Sequence, residues 1–584
     1  MNKYKSFVIV GFCLSLALCG CSFAESKGMA EDRALSAEQK EFDAYLEDQL
    51  VETLEGDYYT MHSLVQDPSS LGIDPSSIEK TWGRFDEKTM EEDRAEIAET
   101  LEELESFSYE ELTTSQQDTY DTFVYQMRTS QELSDERFDY IASLFSPMTG
   151  IQVSLPTIFS DWELYTKQDA QDLILMMEDV DDYIQSALDY TYIQEEQGML
   201  CLSFEEIRSY CEQILSQGIE SSVLDSLKEE VEDLNLSKQE SEDIQSELEM
   251  AFQDSYLKGY QLIMNAMDDL EKNGENHSAG LASFAAGKEY YSALMHSQIG
   301  SMRSVEEVQE MMSSACLDHL SSAMELSDAA VGVYFLDTGY QDYEEIIEDV
   351  QNKMKDDFPE ISAKEYQIQD MEEDIATDNG VAAYYQIPTL DGDQTGQLRV
   401  NPLNDGISSI DTYMTVCHEG MPGHMYQYNY TRENLNEPVR WSLLTNTAYQ
   451  EGYATYVEHF VLRYLDNDAR TLKFYSEYML SIYDALILAD IGIHYENWDY
   501  ATCAAQMETY GLTMTQEQYD QLLYTPCAFQ PYYVGYEEIA LYRSQAKDKE
   551  GKDFSEYDFH TVLLEAGAAS FDVIQRHIDS YYGS

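Results

Sequence analysis

The stretch Val416-Cys417-His418-Glu419-Gly420-Met421-Pro422-Gly423-His424 places the tightest constraint on how this 584-residue chain can fold. Two histidines with a glutamate beside the first are the parts of a hydrolytic metal site. Neutral imidazoles hold the ion, and the carboxylate takes a proton from the attacking water. In the standard zinc-peptidase spacing, His-Glu-x-x-His, both imidazoles lie on one face of a helix. Here the second histidine follows the first by six residues. Six residues of regular helix rotate by about 600°, which leaves the two side chains roughly 120° apart. The pair can share an ion only if the helix breaks between them. Pro422-Gly423 falls where the break is needed, because proline removes a helix hydrogen bond and glycine tolerates unusual backbone angles. The alternative is a helix end carrying two unrelated histidines.

A third ligand is sought in Tyr449-Gln450-Glu451-Gly452-Tyr453-Ala454-Thr455-Tyr456-Val457-Glu458. Glu451 lies 27 residues past His424, room enough for a turn and a second helix to come back alongside the first. In zinc peptidases with a glutamate ligand, a carboxylate from such a helix completes the site and leaves one position for water. Glu451 is the expected ligand. Glu458, seven residues on and so two turns along the same face, suits a supporting role that orients a histidine.

With His418-Glu419, Pro422-Gly423-His424 and Gln427 followed by Glu451-Gly452-Tyr453-Ala454, Tyr456 and Glu458, the chain resembles the large, mostly helical bacterial family of domain of unknown function 885. That family carries His-Glu-x-x-Pro-Gly-His-x-x-Gln and then Glu-Gly-Trp/Tyr-Ala-x-Tyr-x-Glu. It looks in turn like a distant relative of helical zinc peptidases such as thimet oligopeptidase and the thermostable carboxypeptidases. The resemblance implies a mainly α fold, with a large helical zincin-like catalytic unit, a central cleft roofed by N-terminal helices, and a small β-hairpin.

Two further stretches are similar to the family. Asp490-Ile491-Gly492-Ile493-His494 with Trp498 matches Asp-x-Gly-x-His and a following Trp. A lone helical histidine would otherwise read as structural, and the match implies that His494 donates a hydrogen bond to substrate or oxyanion. The arginines common just upstream in the family are replaced here by Ala485-Leu486-Ile487-Leu488-Ala489. Gln530-Pro531-Tyr532-Tyr533-Val534-Gly535, then Arg543, then Phe559-His560 resembles the family's tyrosine-glycine segment and terminal Phe-His pair. A tyrosine hydroxyl is the usual oxyanion donor in helical zinc peptidases, which makes Tyr532 the first choice and Tyr533 the alternative. Arg543 and His560 are candidates for substrate contacts or supporting roles. His62, His277, His296, His319, His459 and His577 match no motif and read as structural or exposed.

Charge narrows the partners. Lys and Arg number 33 against 113 Asp and Glu, a net charge of −80. Such a surface repels nucleic acid and anionic headgroups, so neither is an expected partner. It could weakly attract basic peptides, although a solvated acidic face is the plainer reading. Lys3, Lys5 and the apolar run Phe7 to Leu18 read as a signal peptide over residues 1–20. Leu18-Cys19-Gly20-Cys21 reads like a bacterial lipobox with lipid on Cys21, an ordinary secretory signal being the alternative. A polar tether over residues 21–38 would then join lipid to domain, giving an extracytoplasmic lipoprotein of the cell envelope that meets the membrane only through its anchor. The six later cysteines are too sparse for a disulfide scaffold. A Cys201–Cys211 bridge stays open, with buried free thiols the default.

From Phe42 onward apolar residues recur at helical steps, and Gly274 to Gly287 is the best boundary between an N-terminal helical lobe, about 39–275, and a catalytic lobe, about 276–584. Val381 to Pro388 and Gly396 to Asn401 read as strands of a hairpin. That hairpin either covers the core or offers a sheet edge to peptide main chain. The expected activity is zinc-dependent hydrolysis of peptide bonds in short extracellular peptides. His418, His424 and Glu451 would hold one Zn²⁺ and Glu419 would act as base, while cobalt or manganese would also fit the donors. Two alternatives stay open: a non-catalytic peptide-binding surface lipoprotein, and a zinc amidase acting on cell-wall material.

Overall fold

A computed structural model describes residues 35–583 apart from 373–374, 377–381, 393–394, 404–405 and 436–437. The expected signal segment, the lipidation site Cys21, most of the tether and Val381 of the expected first strand lie outside the described residues.

The fold is mainly helical with one small sheet, as expected. Many helices begin on a polar side chain that accepts a backbone N–H otherwise left unpaired. Ser36 with Gln39, Thr113 with Gln116, Ser304 with Glu307 and Thr515 with Gln518 each close a reciprocal capping box. The site is built by α1 (Val305–Glu325), α2 (Ile410–Glu419), α3 (His424–Asn434), α4 (Thr447–Phe460), α5 (Ala469–His494), α6 (Gln530–Glu550) and α7 (Glu556–Glu565). α4 lies along α6, α1 lies along α5, and α2 leans on α4.

The sheet has three strands in the order β1-β3-β2: β1 (Tyr366–Asp370), β2 (Ala383–Gln386) and β3 (Gly396–Val400). β2 and β3 pair antiparallel, with Ala383 opposite Val400 and Gln386 opposite Gln397. Alternate residues of both strands are buried, which is the pattern that made them legible. β1 pairs parallel to β3 and was not expected. None of its residues is fully buried, so it lacks the alternation that marks a strand. β2 is left as an edge.

The largest apolar cluster draws residues from Leu50 to Tyr582 and spans both sides of residue 275. A second packs Tyr291 and Val534 around Ile487, Leu488 and Ile491 of α5. The six described cysteines are all free thiols, and Cys417 is buried in the core. No helix among the described residues is long and apolar enough to cross a membrane.

Candidate metal centre

α2 ends at Glu419 and α3 begins at His424, so the break falls between the two histidines. The Gly420 N–H still donates to Val416 O at 2.9 Å, the Met421–Pro422 peptide is cis, and the Gly423 N–H returns to Cys417 O at 2.9 Å. A Cβ on Gly423 would sit 1.7 Å from His418 O and 2.4 Å from Cys417 O, so only glycine lets the chain double back this closely. The fold-back brings the two imidazoles together at 84°, with ring centres 4.8 Å apart.

α4 supplies the carboxylate. Glu451 Oε2 is 3.4 Å from His418 Nε2 and 3.4 Å from His424 Nε2. Donor atoms of the three residues lie within 4.8 Å of one another, and the group could hold a metal ion. Two ligand atoms about 2.0–2.1 Å from a tetrahedral ion stand roughly 3.3–3.4 Å apart, so these separations fit one. Glu451 is 6% exposed, and its Oε2 finds no hydrogen-bond donor. Burial works to raise the Glu451 carboxyl, but His424 and His418 outweigh it and hold it well below the usual carboxylate range. Glu458, two turns along α4, places Oε2 at 3.1 Å from His418 Nδ1. A carboxylate can only accept there, so Nδ1 donates, which would free Nε2 to ligate an ion.

Glu419 is held from the sheet. Its Oε2 accepts the Tyr385 N–H at 2.9 Å from the outer edge of β2, and its Oε1 lies 3.9 Å from His418 Nε2. Burial raises its carboxyl above the ordinary value, opposed by His424 and His418. A carboxylate raised in this way is a better base near neutral pH. Tyr385 was not expected to take part; a backbone donor leaves no mark on residue type.

Tyr532 and Tyr533 occupy the first turn of α6. The Tyr532 ring stacks against His418 with centres 6.2 Å apart, and Tyr533 stacks on Tyr483 at 4.3 Å. Both tyrosines line a cavity of about 500 Å³, together with Glu419, His424, Gln427 and Glu451.

Three expected site residues make their contacts within the fold. His494 borders the same cavity, but its Nδ1 accepts the Leu281 N–H at 3.2 Å and its Nε2 donates to Leu522 O at 2.9 Å. With both ring nitrogens bound to backbone, the donor role expected toward an oxyanion is not available to it. Its signature instead pins the start of α6. Asp490 accepts from Tyr291 Oη at 2.6 Å, from Gln530 Nε2 at 2.8 Å and from the Cys527 N–H at 3.2 Å. Gly492 makes room for Trp498, whose indole would lie 2.0 Å from a Cβ there.

His560 and Arg543 sit outside the cavity lining. His560 Nδ1 donates to Asp357 O at 2.7 Å, its Nε2 accepts from Tyr456 Oη at 2.8 Å, and its ring stacks on Phe358 at 4.0 Å. Burial pushes its pKa down to about 3, so it is neutral. Arg543 pairs with Glu556, its Nε donating at 2.8 Å, and lies over the Phe460 ring. Because Tyr456 and Phe460 belong to α4, both residues brace the ligand helix against α6 and α7.

A family model described as "Bacterial protein of unknown function (DUF885)" matches residues 67–578. Among solved structures, a "putative lipoprotein" from Colwellia psychrerythraea aligns at 16% identity with a TM-score of 0.78, over 93% of this chain and 99% of its own. A "putative lipoprotein of unknown function" from Shewanella oneidensis aligns at 16% identity and TM-score 0.62, over the same 93% and 99%. At that identity the likeness shows a shared fold alone. A "putative oligoendopeptidase F" from Bacillus anthracis str. Ames aligns at 10% identity over 85% of this chain and 93% of its own. Its TM-score of 0.30 is too low to bear on the fold. No curated protein matches the chain.

Proposed function

The chain belongs to the bacterial family of unknown function DUF885, and we propose that within it this protein is a metal-dependent hydrolase of peptide bonds. One observation carries the proposal: a buried Glu451 oxygen without a hydrogen-bond donor, 3.4 Å from each of two imidazole nitrogens. His418, His424 and Glu451 would hold one divalent cation, for which Zn²⁺ is the natural choice for two imidazoles and a carboxylate. The ion, when bound, polarises a carbonyl oxygen and lowers the pKa of water.

The remaining work falls to the chain. Glu419, fixed by the Tyr385 N–H, takes a proton from the attacking water and returns it to the leaving amine. Tyr532, stacked on His418, donates its hydroxyl to the oxygen that becomes negative, with Tyr533 the nearest substitute. Ala383 and Tyr385 of β2, and Ile387 just past its end, line the cavity. An extended peptide laid there would use main-chain hydrogen bonds and so be accepted with little sequence preference. A cavity of about 500 Å³ suits short peptides over folded proteins. The basic, apolar and Cys21-containing leader supports an extracytoplasmic lipoprotein tethered through Cys21. So do the lipoprotein names of the two structural relatives.

The test is to strip the metal, restore Zn²⁺, and incubate with a mixed peptide library and, separately, with cell-wall fragments, reading products by mass spectrometry. Peptide cleavage that disappears with chelator and returns with Zn²⁺ is expected. Products from cell-wall fragments alone would make the protein an amidase. Metal-independent peptide retention without any product would make it a binding protein.

A further inference from the structure

A second set of ligating side chains converges behind the first centre. His319 comes from α1, Glu477 and Asp484 from α5, and Glu537 from α6. His319 Nδ1 is 2.8 Å from Glu477 Oε2, and its Nε2 is 3.1 Å from Glu537 Oε1. One donor atom from each of His319, Asp484 and Glu537 lies within 4.8 Å of the others. Glu477 and Asp484 are seven residues apart, two turns along one face of α5.

Asp484 is the residue that ordinary packing leaves unexplained. It is 1% exposed, and its Oδ2 meets no hydrogen-bond donor. An imidazolium clamped between Glu477 and Glu537 would account for His319 but not for a third carboxyl buried beside it. Among the described residues, Lys473 lies 3.9 Å from Glu477, and no Lys or Arg pairs with Asp484 or Glu537. A charged carboxylate there would cost several kcal/mol without a cation beside it.

We propose that His319 Nε2, Asp484 and Glu537 form a second divalent-cation site, with Glu477 orienting His319 through Nδ1. The layout repeats that of the first centre, where Glu458 holds His418 Nδ1 and leaves Nε2 toward the donor group. A carboxylate on the far nitrogen of a ligating histidine fixes its tautomer and raises its basicity. One imidazole and two carboxylates suit a first-row transition dication such as Zn²⁺, whereas Ca²⁺ takes six to eight oxygens. The cluster reaches solvent, with the side chains of His319, Glu477 and Glu537 17%, 19% and 13% exposed. An ion there would tie α1 and α5 to α6, the helix that carries Tyr532 and Tyr533. Tyr536 lies 6.4 Å from His319 and 5.7 Å from His459, the chain neighbour of Glu458.

Equilibrium dialysis of the full chain against Zn²⁺, with bound metal counted by mass spectrometry, tests this. Two equivalents are expected for the unaltered protein, and one for each of His418→Ala, Asp484→Asn and Glu537→Gln. Glu537→Gln, at a more exposed position, stands in should Asp484→Asn fail to fold by circular dichroism. A single equivalent lost in Asp484→Asn and kept in His418→Ala would support the second site while removing the first. A stoichiometry unchanged by both Asp484→Asn and Glu537→Gln overturns the proposal.

Discussion

Gly452 and Gly535 meet backbone to backbone where α4 packs against α6. A Cβ on Gly452 would lie 2.4 Å from the Gly535 carbonyl carbon, and one on Gly535 would lie 2.1 Å from Ala448 O. Gly452 follows Glu451, and Gly535 is three residues past Tyr532, so this contact helps set how closely Glu451 and Tyr532 approach. Gly535→Ala must push the helices apart. We expect a destabilisation of about 1–3 kcal/mol, as for other overpacked sites, seen as a lower urea midpoint with unchanged slope.

Glu419→Gln keeps the size of the side chain and its place beside the Tyr385 N–H but removes the base. Peptide turnover should fall by about 10²–10⁴ while Zn²⁺ content stays the same. Unchanged turnover would take Glu419 out of the reaction.

Glu458 touches His418 and no other residue of the donor set. Glu458→Gln should weaken metal binding by about 10- to 100-fold with the fold intact, measured by competition with a chelator of known affinity. Equal affinity in the two proteins would show that His418 is oriented by packing alone.

Tyr532→Phe should lower kcat by about 10²–10³ with KM little altered, as expected for a donor used only when the oxyanion forms. Tyr533→Phe should do less, since the Tyr533 ring is stacked on Tyr483. The opposite ranking in steady-state kinetics would reassign the hydroxyl to Tyr533.

Glu556 links α7 to α6. Burial disfavours its carboxylate, but Arg543, Lys547 and Arg463 outweigh that and hold its pKa at about 2, below the ordinary 4.5. A depressed carboxyl contributes stability in full above its unfolded pKa and loses it as pH falls toward the folded one. Glu556→Gln should therefore be less stable than the unaltered chain at pH 6. The gap should close between about pH 4.5 and pH 2, followed by urea unfolding across that range. A constant gap would place the effect outside this cluster.

The stretch from Asp490 to His494 and the residues Arg543 and His560 hold helices in place around the site. Asp490, Gly492 and His494 hold the start of α6, and Arg543 and His560 hold α4. Residue type alone did not separate these roles, because a histidine that donates to a backbone carbonyl and one that donates to substrate are the same letter. What distinguishes them is the partner, and Leu281 and Asp357 stand more than 200 residues away along the chain.

The sequence by itself determined the helical class, the β2–β3 hairpin and the break at Pro422-Gly423, since periodicity, alternation and the backbone limits of proline and glycine act over a few residues. It also named the donor types of the first centre. Only the tertiary structure decided that the edge of β2 delivers the Tyr385 N–H to Glu419, that Gly452 meets Gly535, and that His319, Asp484 and Glu537 converge. Those last three residues stand more than fifty positions apart along the chain, and no local spacing records a meeting made by packing.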